Sequence, residues 1–444
     1  MSRWGLHDLV DRRLVVWGAG LDGAAAIAHL SGRNDICLVV DDPHTNGPAQ
    51  ELADSFGIAL SSPSAAALST ADLIIRAPGV SRYRAELVGL PSSNLAALWM
   101  TDDHAGTIIS VTGTKGKSTT SHLTALLLRA DGHAANLGGN IGVPVLELDE
   151  VAAFHVVEIS SYMAADMQRS PDVGVLTNLG EDHLTWHGSV ERYHADKLNL
   201  FAHDRLRRLI VSGADEPAVS ATRGFPNRSL SGTAGWIVGE SSVSLAGHGL
   251  TIYLSGTPLA RNHFALDLCA ALTAVEEASG SVPSTAAIES VVANYITLPS
   301  RLEPVATIDS VEYIDDALAS NPFGACAALA AYPDRPVVIL LGGQDRGVDL
   351  APLIAVIQER RAPISIVLFS QTRDRMAVAF TDAGVAFELY EGDDLNGPVQ
   401  LAHQLASPGT VVLFSPAVPT PTSMGNYADR SRLFKAAVAS LTQG

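Results

Sequence analysis

The chain has 444 residues, of which 47% are hydrophobic and 17% are charged. This length exceeds one ordinary domain, and the composition is that of a folded protein rather than a disordered one. The net charge of -18 disfavours general affinity for nucleic acids or anionic membranes, because those surfaces would repel the protein.

The cysteines and the N-terminal segment favour a reducing, cytoplasmic location. Cys37, Cys269 and Cys326 lie far apart in sequence and form no Cys-x-x-Cys pair, which disfavours disulfides and a structural zinc site. Charges interrupt the segment 1–18, and no run of about 18 uncharged apolar residues follows it. We therefore expect neither a signal peptide nor membrane insertion.

Apolar, β-branched runs alternate with helical stretches along the first half of the chain. These runs cover residues 14–18, 37–41, 72–79, 107–113, 156–160, 173–180 and 209–213. Such alternation predicts parallel sheets covered by helices.

A glycine-rich turn follows the first predicted strand. Gly18, Gly20 and Gly23 form a G-x-G-x-x-G pattern, and Asp41 and Asp42 close the next strand. The pattern is typical of dinucleotide-binding turns, but it equally fits a tight strand-to-helix turn without a ligand. The broader interpretation is a site for the pyrophosphate of some nucleotide.

The strongest local signal is VTGTKGKSTT at residues 111–120, which has the order of a phosphate-binding loop with a shortened first gap. Gly113 and Gly116 allow backbone N–H groups to approach phosphate oxygens. Lys117 adds a positive charge, and Ser118 offers a hydroxyl to Mg²⁺. Leucines at helical spacing follow, so the loop lies between a strand and a helix. The loop predicts an enzyme that uses ATP.

Acidic and imidazole groups downstream are candidates to contact a magnesium nucleotide. Glu158 ends a predicted strand, and His183 lies within NLGEDHLTWHG, where Asp182 and His187 are weaker candidates. A carboxylate suits Mg²⁺, whereas imidazole is a less usual ligand for it. By itself, His183 is more often a hydrogen-bonded loop histidine.

The second half of the chain changes pattern and then returns to strand and helix alternation. Short strands with Gly and Ser turns at 228–260 predict an antiparallel appendage, and a helix is predicted near 264–279. Further predicted strands cover 311–316, 337–343, 364–370 and 410–417. We expect three domains, with the bounds 1–103, 104–297 and 298–444.

The order of these segments resembles the Mur ligase family, the ATP-dependent amide-forming ligases of peptidoglycan precursor synthesis. The resemblance covers nearly the whole chain and rests on nine segments in order. They are GTKGKST (113–119), GGNIGVP (138–144), VEISS (157–161), NLGEDHLTWHG (178–188), the lysine of YHADKLNLF (193–201), LPSRLE (298–303), DDALASNP (315–322), LGGQDRGVD (341–349) and SPAVPTPTSMGNYADRS (415–431). The resemblance implies an α/β fold of three domains: an N-terminal Rossmann-like UDP-binding domain, a central P-loop ATPase domain with a small antiparallel β appendage, and a C-terminal Rossmann-like domain that binds the amino acid.

The resemblance also implies the cofactors ATP and Mg²⁺ and roles for single residues. Catalysis would fall to Lys117, Lys197, His183 and Glu158. ATP would be bound by Gly113, Thr114, Lys115, Gly116, Lys117, Ser118, Thr119, Asn140, Asp267, Arg301 and Asp316. Metal ions would be held by Ser118, Glu158, His183 and Lys197, the last after carbamylation. As bare sequence, Lys197 is more often a solvated surface charge.

The implied chemistry is transfer of the ATP γ-phosphate to a substrate carboxylate, which gives an acyl phosphate. An amine then attacks through a tetrahedral intermediate, and phosphate leaves. Positioning and charge neutralisation supply most of such catalysis, which is why the signals are glycines, cations and metal ligands.

Two N-terminal segments, GAGLDG and APGVS (77–81), resemble the branch of the family that adds glutamate to UDP-N-acetylmuramoyl-L-alanine. In that branch the N-terminal domain binds UDP rather than NAD. The implied contacts to the UDP-substrate are Gly18, Gly20, Leu21, Asp22 and Ser160. The implied contacts to glutamate are Ser320, Arg346, Thr420 and Tyr427.

Departures from the ordinary, D-glutamate-adding branch favour L-glutamate. Leu318 stands where that branch has a lysine, SPAVPT replaces its SPACAS segment, and Lys115 replaces an asparagine in the phosphate loop. Together with SRYRAEL (81–87), these features resemble the branch that attaches L-glutamate, whose product a separate enzyme epimerises. Ser300 and Asp267, where a histidine and an asparagine are common, would alter nucleotide binding.

Three alternatives stay open. The first is the same ligation with D-glutamate. The second is a nucleotide-binding module without catalysis, which the metal-site residues disfavour. The third is a folate-polyglutamating ligase, for which a UDP-binding domain is unneeded.

Overall fold

A computed structural model of the protein describes residues 3–44, 47–345 and 347–442. The chain divides into two compact units, Met1–Tyr295 and Ile296–Gly444. The first unit holds two parallel sheets and a small antiparallel sheet, and the second unit holds a mixed sheet. The predicted α/β class is therefore confirmed, while the division into three domains at residues 103 and 297 stays a prediction.

The first sheet consists of five short parallel strands. They are β1 (Arg13–Trp17), β2 (Asp35–Val39), β3 (Ala59–Ser61), β4 (Leu73–Arg76) and β5 (Ser92–Asn94). Its helices are α1 (Leu21–Leu30), α2 (Gly47–Phe56), α3 (Ala65–Leu68) and α4 (Leu95–Thr101). The strand order is β3-β2-β1-β4-β5. Leu14 and Val16 of β1 are fully buried, as expected for a parallel sheet covered on both faces.

The central sheet has six parallel strands. They are β6 (Thr107–Thr112), β7 (Ala135–Gly139), β8 (Phe154–Glu158), β9 (Val173–Leu176), β10 (Arg208–Ser212) and β11 (Arg228–Ser231). The accompanying helices are α5 (Lys117–Ala130), α6 (Ser161–Ala164), α7 (Leu184–His187), α8 (Val190–Leu198), α9 (Glu216–Ala221), α10 (Asn262–Ser279) and α11 (Thr285–Asn294). The order is β11-β10-β9-β6-β8-β7, so the loop after β6 lies between the ends of β9 and β8.

A four-stranded antiparallel sheet follows the central one. Its strands are β12 (Thr233–Ala234), β13 (Trp236–Val238), β14 (Ser242–Leu245) and β15 (Leu250–Tyr253), paired in that order. The predicted antiparallel appendage is thus confirmed from residue 233 onward. Its predicted start at 228 was wrong, because residues 228–231 pair in parallel with β10 and extend the central sheet.

The second unit is built on a six-stranded sheet. Its strands are β16 (Glu303–Ile308), β17 (Val311–Asp315), β18 (Val337–Leu341), β19 (Ile364–Leu368), β20 (Glu388–Leu389) and β21 (Val411–Phe414). Its helices are α12 (Pro322–Ala330), α13 (Ala351–Glu359), α14 (Arg373–Asp382), α15 (Asn396–Leu405) and α16 (Tyr427–Ser440). The order is β16-β17-β21-β18-β19-β20, and β16 is antiparallel to β17. The loops after β17, β21 and β18 therefore meet at one edge.

Six short 3-10 helices complete the secondary structure of the described residues. They are Leu6–Leu9, Ala85–Leu87, Val145–Glu147, Asn199–Phe201, Pro258–Ala260 and Thr422–Met424. Across the described ranges, every helix is too short or too polar to span a bilayer.

A buried ion pair joins the first sheet to the central part of the same unit. Arg76, the last residue of β4, donates to Asp166, and the two side chains are 1% and 4% exposed. Asn94 Nδ2 also donates to Asp166 at 2.9 Å, and Arg82 lies 3.1 Å from its other carboxylate oxygen. Because a buried carboxylate needs such partners, these contacts fix the segment 76–94 against the turn that follows α6.

Candidate active site

The loop after β6 has the backbone geometry that its glycines require. Gly113 has φ +155 and Gly116 has φ +78, and Gly116 is the N-cap residue of α5. A Cβ atom at Gly113 would lie 1.8 Å from Thr177 Oγ1, and one at Gly116 would lie 2.4 Å from Asp267 Oδ1. Only glycine fits at these two positions. The N-terminal end of α5 is directed at the loop, as in anion-binding sites.

Two residues after the neighbouring strand β9 fix the shape of this loop. Asn178 Oδ1 accepts from the Lys115 backbone N–H at 2.8 Å, and Asn178 Nδ2 donates to the Lys115 carbonyl at 3.0 Å. Thr177 Oγ1 donates to the same carbonyl at 2.5 Å. Asn178 begins the segment 178–188, but neither residue was predicted to have a role. Their position at the end of a strand beside β6 was the available signal.

The amino groups of two lysines meet at the start of the loop. Lys117 Nζ donates to the carbonyl oxygens of Gly113 at 2.9 Å and Thr114 at 3.1 Å. Lys197 Nζ, from α8, donates to the carbonyl oxygen of Gly113 at 3.0 Å. Thr114 Oγ1 is also 2.9 Å from the hydroxyl of Tyr193, on the same helix.

Lys197 is buried, at 1% exposure, so its bare-sequence interpretation as a solvated surface charge was wrong. Burial holds the pKa of its amine well below the usual lysine value, and the charge of Lys117 lowers it further. Removal from water therefore favours the neutral amine at this position.

A chain of polar contacts lies beside the loop. Ser118 Oγ donates to Glu158, and Asn140 Nδ2 donates to Glu158 Oε1 at 2.6 Å. Glu158 ends β8, as predicted. In the parallel pairing of β6 and β8, Glu158 lies opposite Val111. The parallel register thus carries the carboxylate to the same edge of the sheet as the loop.

These oxygen donors fit a magnesium ion. Mg²⁺ prefers oxygen ligands and is usually held by one or two carboxylates together with phosphate oxygens and water. Ser118 and Glu158 supply a hydroxyl and a carboxylate in direct contact at the phosphate loop. Within the described residues, no three His, Cys, Asp or Glu side chains are grouped to hold a metal ion.

His183 lies at the N-terminal end of α7, where its backbone has φ +54. Its ring centroid is 4.8 Å from that of Tyr162. Partial burial lowers the pKa of the imidazole; the nearby carboxylate of Asp182 raises it, and the ammonium of Lys117 lowers it again. The ring is therefore favoured in its neutral form, which can accept a proton or bind a metal.

The weaker candidates of the same segment have different surroundings. Asp182 lies 3.7 Å from Lys115 Nζ, so it faces the phosphate loop. His187 is fully buried, and its Nδ1 lies 2.6 Å from Asp196 Oδ2. It is therefore part of an internal network rather than of the loop surface.

Two further predicted ATP contacts lie at the loop and in α10. Thr119 is buried in the first turn of α5. Asp267 Oδ1, from α10, accepts from Thr120 Oγ1 at 3.1 Å and faces Gly116. The carboxylate is thus close to the phosphate loop.

Four of the five predicted UDP contacts line two cavities of the first unit. Gly18 and Asp41 line a cavity of about 420 Å³. Gly20, Leu21 and Asp22 line a cavity of about 220 Å³, whose other wall includes Asn140. The structure therefore brings the first glycine-rich turn close to Asn140, and through it to Glu158.

Ser160 has a structural role in this conformation. Its Oγ caps α6 by accepting from the Met163 backbone N–H at 3.2 Å. The side chain is largely buried, at 8% exposure. Met163 itself lines the 220 Å³ cavity.

The predicted nucleotide residues of the second unit lie in adjoining loops. Arg301 is flanked by Ser300 and Leu302, which have φ +59 and +49. Asp316 accepts from the Leu302 backbone N–H at 3.2 Å and from Ser415 Oγ at 2.7 Å. Burial raises the pKa of the Asp316 carboxyl to about 7, although both hydrogen bonds and Arg301 oppose the rise.

Three of the predicted glutamate contacts, Ser320, Thr420 and Tyr427, belong to the loops at the same edge of the second sheet and to the start of α16. Ser320 and Tyr427 are exposed, and Thr420 is half-buried. Arg346 lies outside the described residues. Leu318, where a lysine was expected, donates its backbone N–H to the carbonyl of Ser300 at 3.3 Å.

Arg430 is a buried cation at this edge that was not predicted to have a role. It donates to the carbonyl oxygens of Ala317 at 2.7 Å and Val418 at 3.1 Å, and it is fully buried. Desolvation lowers the pKa of its guanidinium to about 10. It ties together the loops that follow β17 and β21. The available signal was its place in the segment 415–431, one of the nine on which the resemblance rests.

Comparison with known proteins gives the context for this geometry. The Mur ligase middle domain matches residues 111–234. A UDP-N-acetylmuramoyl-L-alanine--L-glutamate ligase of Micromonospora sp. is 35% identical over 461 residues, covering 98% of this chain and 98% of that protein. A UDP-N-acetylmuramoylalanine--D-glutamate ligase of Desulfosudis oleivorans is 32% identical over 459 residues, covering 98% and 97%.

Solved structures share the fold over nearly the whole length. The MurF ligase of Thermotoga maritima, in complex with ADP, matches with a TM-score of 0.58 and 17% sequence identity. The match covers 97% of this chain and 99% of the other.

Proposed function

Because the chain belongs to the Mur ligase family, we propose that it joins L-glutamate to UDP-N-acetylmuramoyl-L-alanine in an ATP-dependent ligation. The protein is thus an ATP-dependent ligase of peptidoglycan synthesis. The observation that carries the assignment of its active site is the convergence of Lys117, Lys197 and Ser118 with Glu158 at one edge of the central sheet.

The first step forms an acyl phosphate. A carboxylate oxygen of the UDP-substrate attacks the γ-phosphorus of ATP, the bond to the β-γ bridging oxygen breaks, and ADP leaves. The backbone N–H groups of the phosphate loop and the Lys117 ammonium hold the triphosphate and offset the charge of the transferring group. A magnesium ion held by Ser118 and Glu158 would supply further charge neutralisation to the phosphate oxygens.

The second step forms the amide. The glutamate amine attacks the acyl carbon and loses a proton, and inorganic phosphate leaves from the tetrahedral intermediate. His183, kept neutral by its surroundings, lies near Lys117 and Lys115. We assign it to the metal site, as the family pattern implies. Lys197 is assigned to the same site after carbamylation, which requires the neutral amine that burial favours.

Three binding regions follow from this proposal. The turn with Gly18, Gly20, Leu21 and Asp22 binds the UDP-substrate, whose acyl end reaches the phosphate loop past Asn140. Arg301 and Asp316 hold the nucleotide. Ser320, Arg346, Thr420 and Tyr427 contact glutamate. The three corresponding domains are 1–103, 104–297 and 298–444.

The choice of L-glutamate rests on the amino-acid loops. A leucine at position 318 cannot pair with a substrate carboxylate, so the pocket differs from the one that a lysine would build. The relative from Micromonospora sp. carries the name of an L-glutamate ligase at 35% identity. The 32% identity to a D-glutamate ligase makes D-glutamate the second candidate.

The deciding experiment compares both enantiomers. Purified protein is supplied with UDP-N-acetylmuramoyl-L-alanine, ATP and Mg²⁺, and phosphate release is measured with L-glutamate, with D-glutamate and with no amino acid. We expect at least about tenfold higher kcat/KM for L-glutamate. Faster release with D-glutamate would overturn the choice of enantiomer, and no glutamate-dependent release would overturn the ligase assignment in favour of a non-catalytic module.

The biological setting follows from the substrates. ATP and UDP-sugars are cytoplasmic, so we place the reaction in the cytoplasm. An L-glutamate product would require a second enzyme that inverts the glutamyl centre, and we propose such an epimerase as the consumer of the product. Incubating the product with cell extract and following the configuration of its glutamate tests this step.

A further inference from the structure

The segment SRYRAEL (81–87) reaches across the first unit to the helix that carries Lys197. Tyr83, in the loop after β4, donates its hydroxyl to Asp196 Oδ1 at 2.6 Å, although the two residues are 113 positions apart. Asp196 lies in α8, directly before Lys197. Asp196 is 7% exposed, so its carboxylate depends on protein partners rather than on water.

The second carboxylate oxygen of Asp196 continues the network to the start of α6. His187 Nδ1 lies 2.6 Å from Asp196 Oδ2, and His187 Nε2 lies 3.0 Å from Ser161 Oγ. Ser161 begins α6, which follows the strand that ends at Glu158. One carboxylate thus connects α8 with the segment that follows Glu158.

Aromatic and cationic contacts hold Tyr83 in this place. Its ring meets Trp186 edge-on, with centroids 5.7 Å apart. The Arg192 guanidinium, also from α8, lies 4.8 Å from the Tyr83 ring centroid. These contacts hold the Tyr83 ring in place, in addition to the hydrogen bond of its hydroxyl. Both partners, Trp186 and Arg192, belong to the segment between His183 and Lys197.

The same loop forms part of the candidate substrate cavity. Pro78 lines the 220 Å³ cavity, and its carbonyl accepts from Trp186 Nε1 at 3.1 Å. Ser81 Oγ donates to the carbonyl of Trp186 at 2.9 Å. A single segment, 78–83, therefore lines the cavity on one side and is hydrogen-bonded to the segment 186–196 on the other.

We propose that Tyr83 is a positioning residue, which through Asp196 sets the place of α8 and Lys197 relative to the loop that lines the substrate cavity. The proposal rests on the proposed ligation. Tyr83 does not contact the reacting atoms. Its effect is to hold α8 in the arrangement in which Lys197 meets the Gly113 carbonyl.

The first test is Tyr83→Phe in the full chain, which removes only the hydroxyl. Because a misplaced Lys197 weakens stabilisation of the transition state more than ground-state binding, we expect kcat to fall about tenfold or more with the KM for ATP within about twofold. The matched control is Tyr390→Phe, since Tyr390 Oη donates to Asp394 at the same distance of 2.6 Å within one exposed loop of the second unit. That control should keep the wild-type kcat.

The second test asks whether Tyr83 acts through Asp196. In a double-mutant cycle with Asp196→Ala, the loss in the double variant should equal the loss in Asp196→Ala alone, because the hydroxyl then has no acceptor at position 196 to position. Multiplicative losses would overturn the proposal. So would a Tyr83→Phe variant whose kcat is within about twofold of wild type.

A third measurement needs no turnover. Hydrogen exchange of the backbone amides in residues 190–198 should be faster in Tyr83→Phe than in wild type and unchanged in Tyr390→Phe. Equal protection in all three proteins would overturn the link. A wild type that releases no phosphate with glutamate would overturn the proposed function, and the exchange experiment would still decide the link between Tyr83 and α8. If Tyr83→Phe is unfolded, Asp196→Ala is measured in its place.

Discussion

Lys117 and Lys197 donate to the same acceptor, the carbonyl oxygen of Gly113, at 2.9 and 3.0 Å. Two amines are thereby brought to the start of a phosphate loop, and the second of them is buried. Burial and the charge of Lys117 lower the pKa of Lys197, while Asp182 and Glu158 oppose this effect, and a neutral Lys197 amine avoids the repulsion between the two lysines.

Lys197→Met tests whether Lys197 contributes to activity without contributing to stability. We expect phosphate release to fall about a thousandfold, because a group beside the transferring phosphate is lost. The melting temperature should not decrease, since methionine fills a similar volume and needs no hydration. Thermal unfolding and a phosphate assay check both parts, and activity within tenfold of wild type would contradict the assignment.

Glu158→Gln tests the magnesium site. The amide keeps the size of the side chain but removes the charge that faces Ser118, so we expect kcat to fall about a hundredfold and half-maximal activity to need more Mg²⁺. Activity is measured over a range of Mg²⁺ concentrations. Glu312→Gln, which affects an exposed pair with Arg335, is the control. An unchanged Mg²⁺ requirement in Glu158→Gln would remove Glu158 from the metal site.

The raised pKa of Asp316 predicts that the stability of the fold depends on pH. Its folded pKa of about 7 lies above the ordinary value of 3.8, so the folded protein binds the proton more tightly than the unfolded chain. The stability from this group is present below pH 3.8 and is lost as pH rises to about 7. Asp316→Asn should therefore gain stability relative to wild type between pH 5 and pH 8, on the order of 2 kcal/mol. Urea unfolding at both pH values measures the difference, and a constant difference would exclude this linkage.

Arg76→Met tests the ion pair between the end of β4 and Asp166, which follows α6. Removing the guanidinium leaves the buried Asp166 carboxylate with weaker partners, and we expect a loss of about 3 kcal/mol. Adding Asp166→Leu should recover part of that loss, because the uncompensated charge is then gone. Equilibrium unfolding of both variants checks the order. A double variant less stable than the single one would show that Asp166 contributes independently of Arg76.

The roles of functional residues that lie close together in the sequence could be predicted. The phosphate loop keeps its glycines, Lys117 and Ser118 within a few positions, and a strand and a helix on either side fix its context. Glu158 could be placed because it ends an apolar strand, and parallel register carries strand ends to one edge.

Long-range contacts could not be predicted in this way. The burial of Lys197 depends on Gly113, which is 84 positions away, and the role of Tyr83 depends on a partner 113 positions away. The sequence around Lys197 and around Tyr83 has no feature that distinguishes either residue from an ordinary exposed side chain. Arg430 was missed for the same reason, since its partners are carbonyl groups of two distant loops. The extra central strand at 228–231 was missed because its short polar run resembles the antiparallel segment that follows it.

The ion pair between Arg76 and Asp166 also bears on how such chains can recombine. A chimaera that takes its five-stranded sheet from a relative would inherit only one half of the pair. If the donor sheet lacked a cation at the end of β4, the carboxylate at position 166 would be buried without its main partner. Exchange of the first sheet between relatives is therefore expected to succeed where positions 76 and 166 are transferred together.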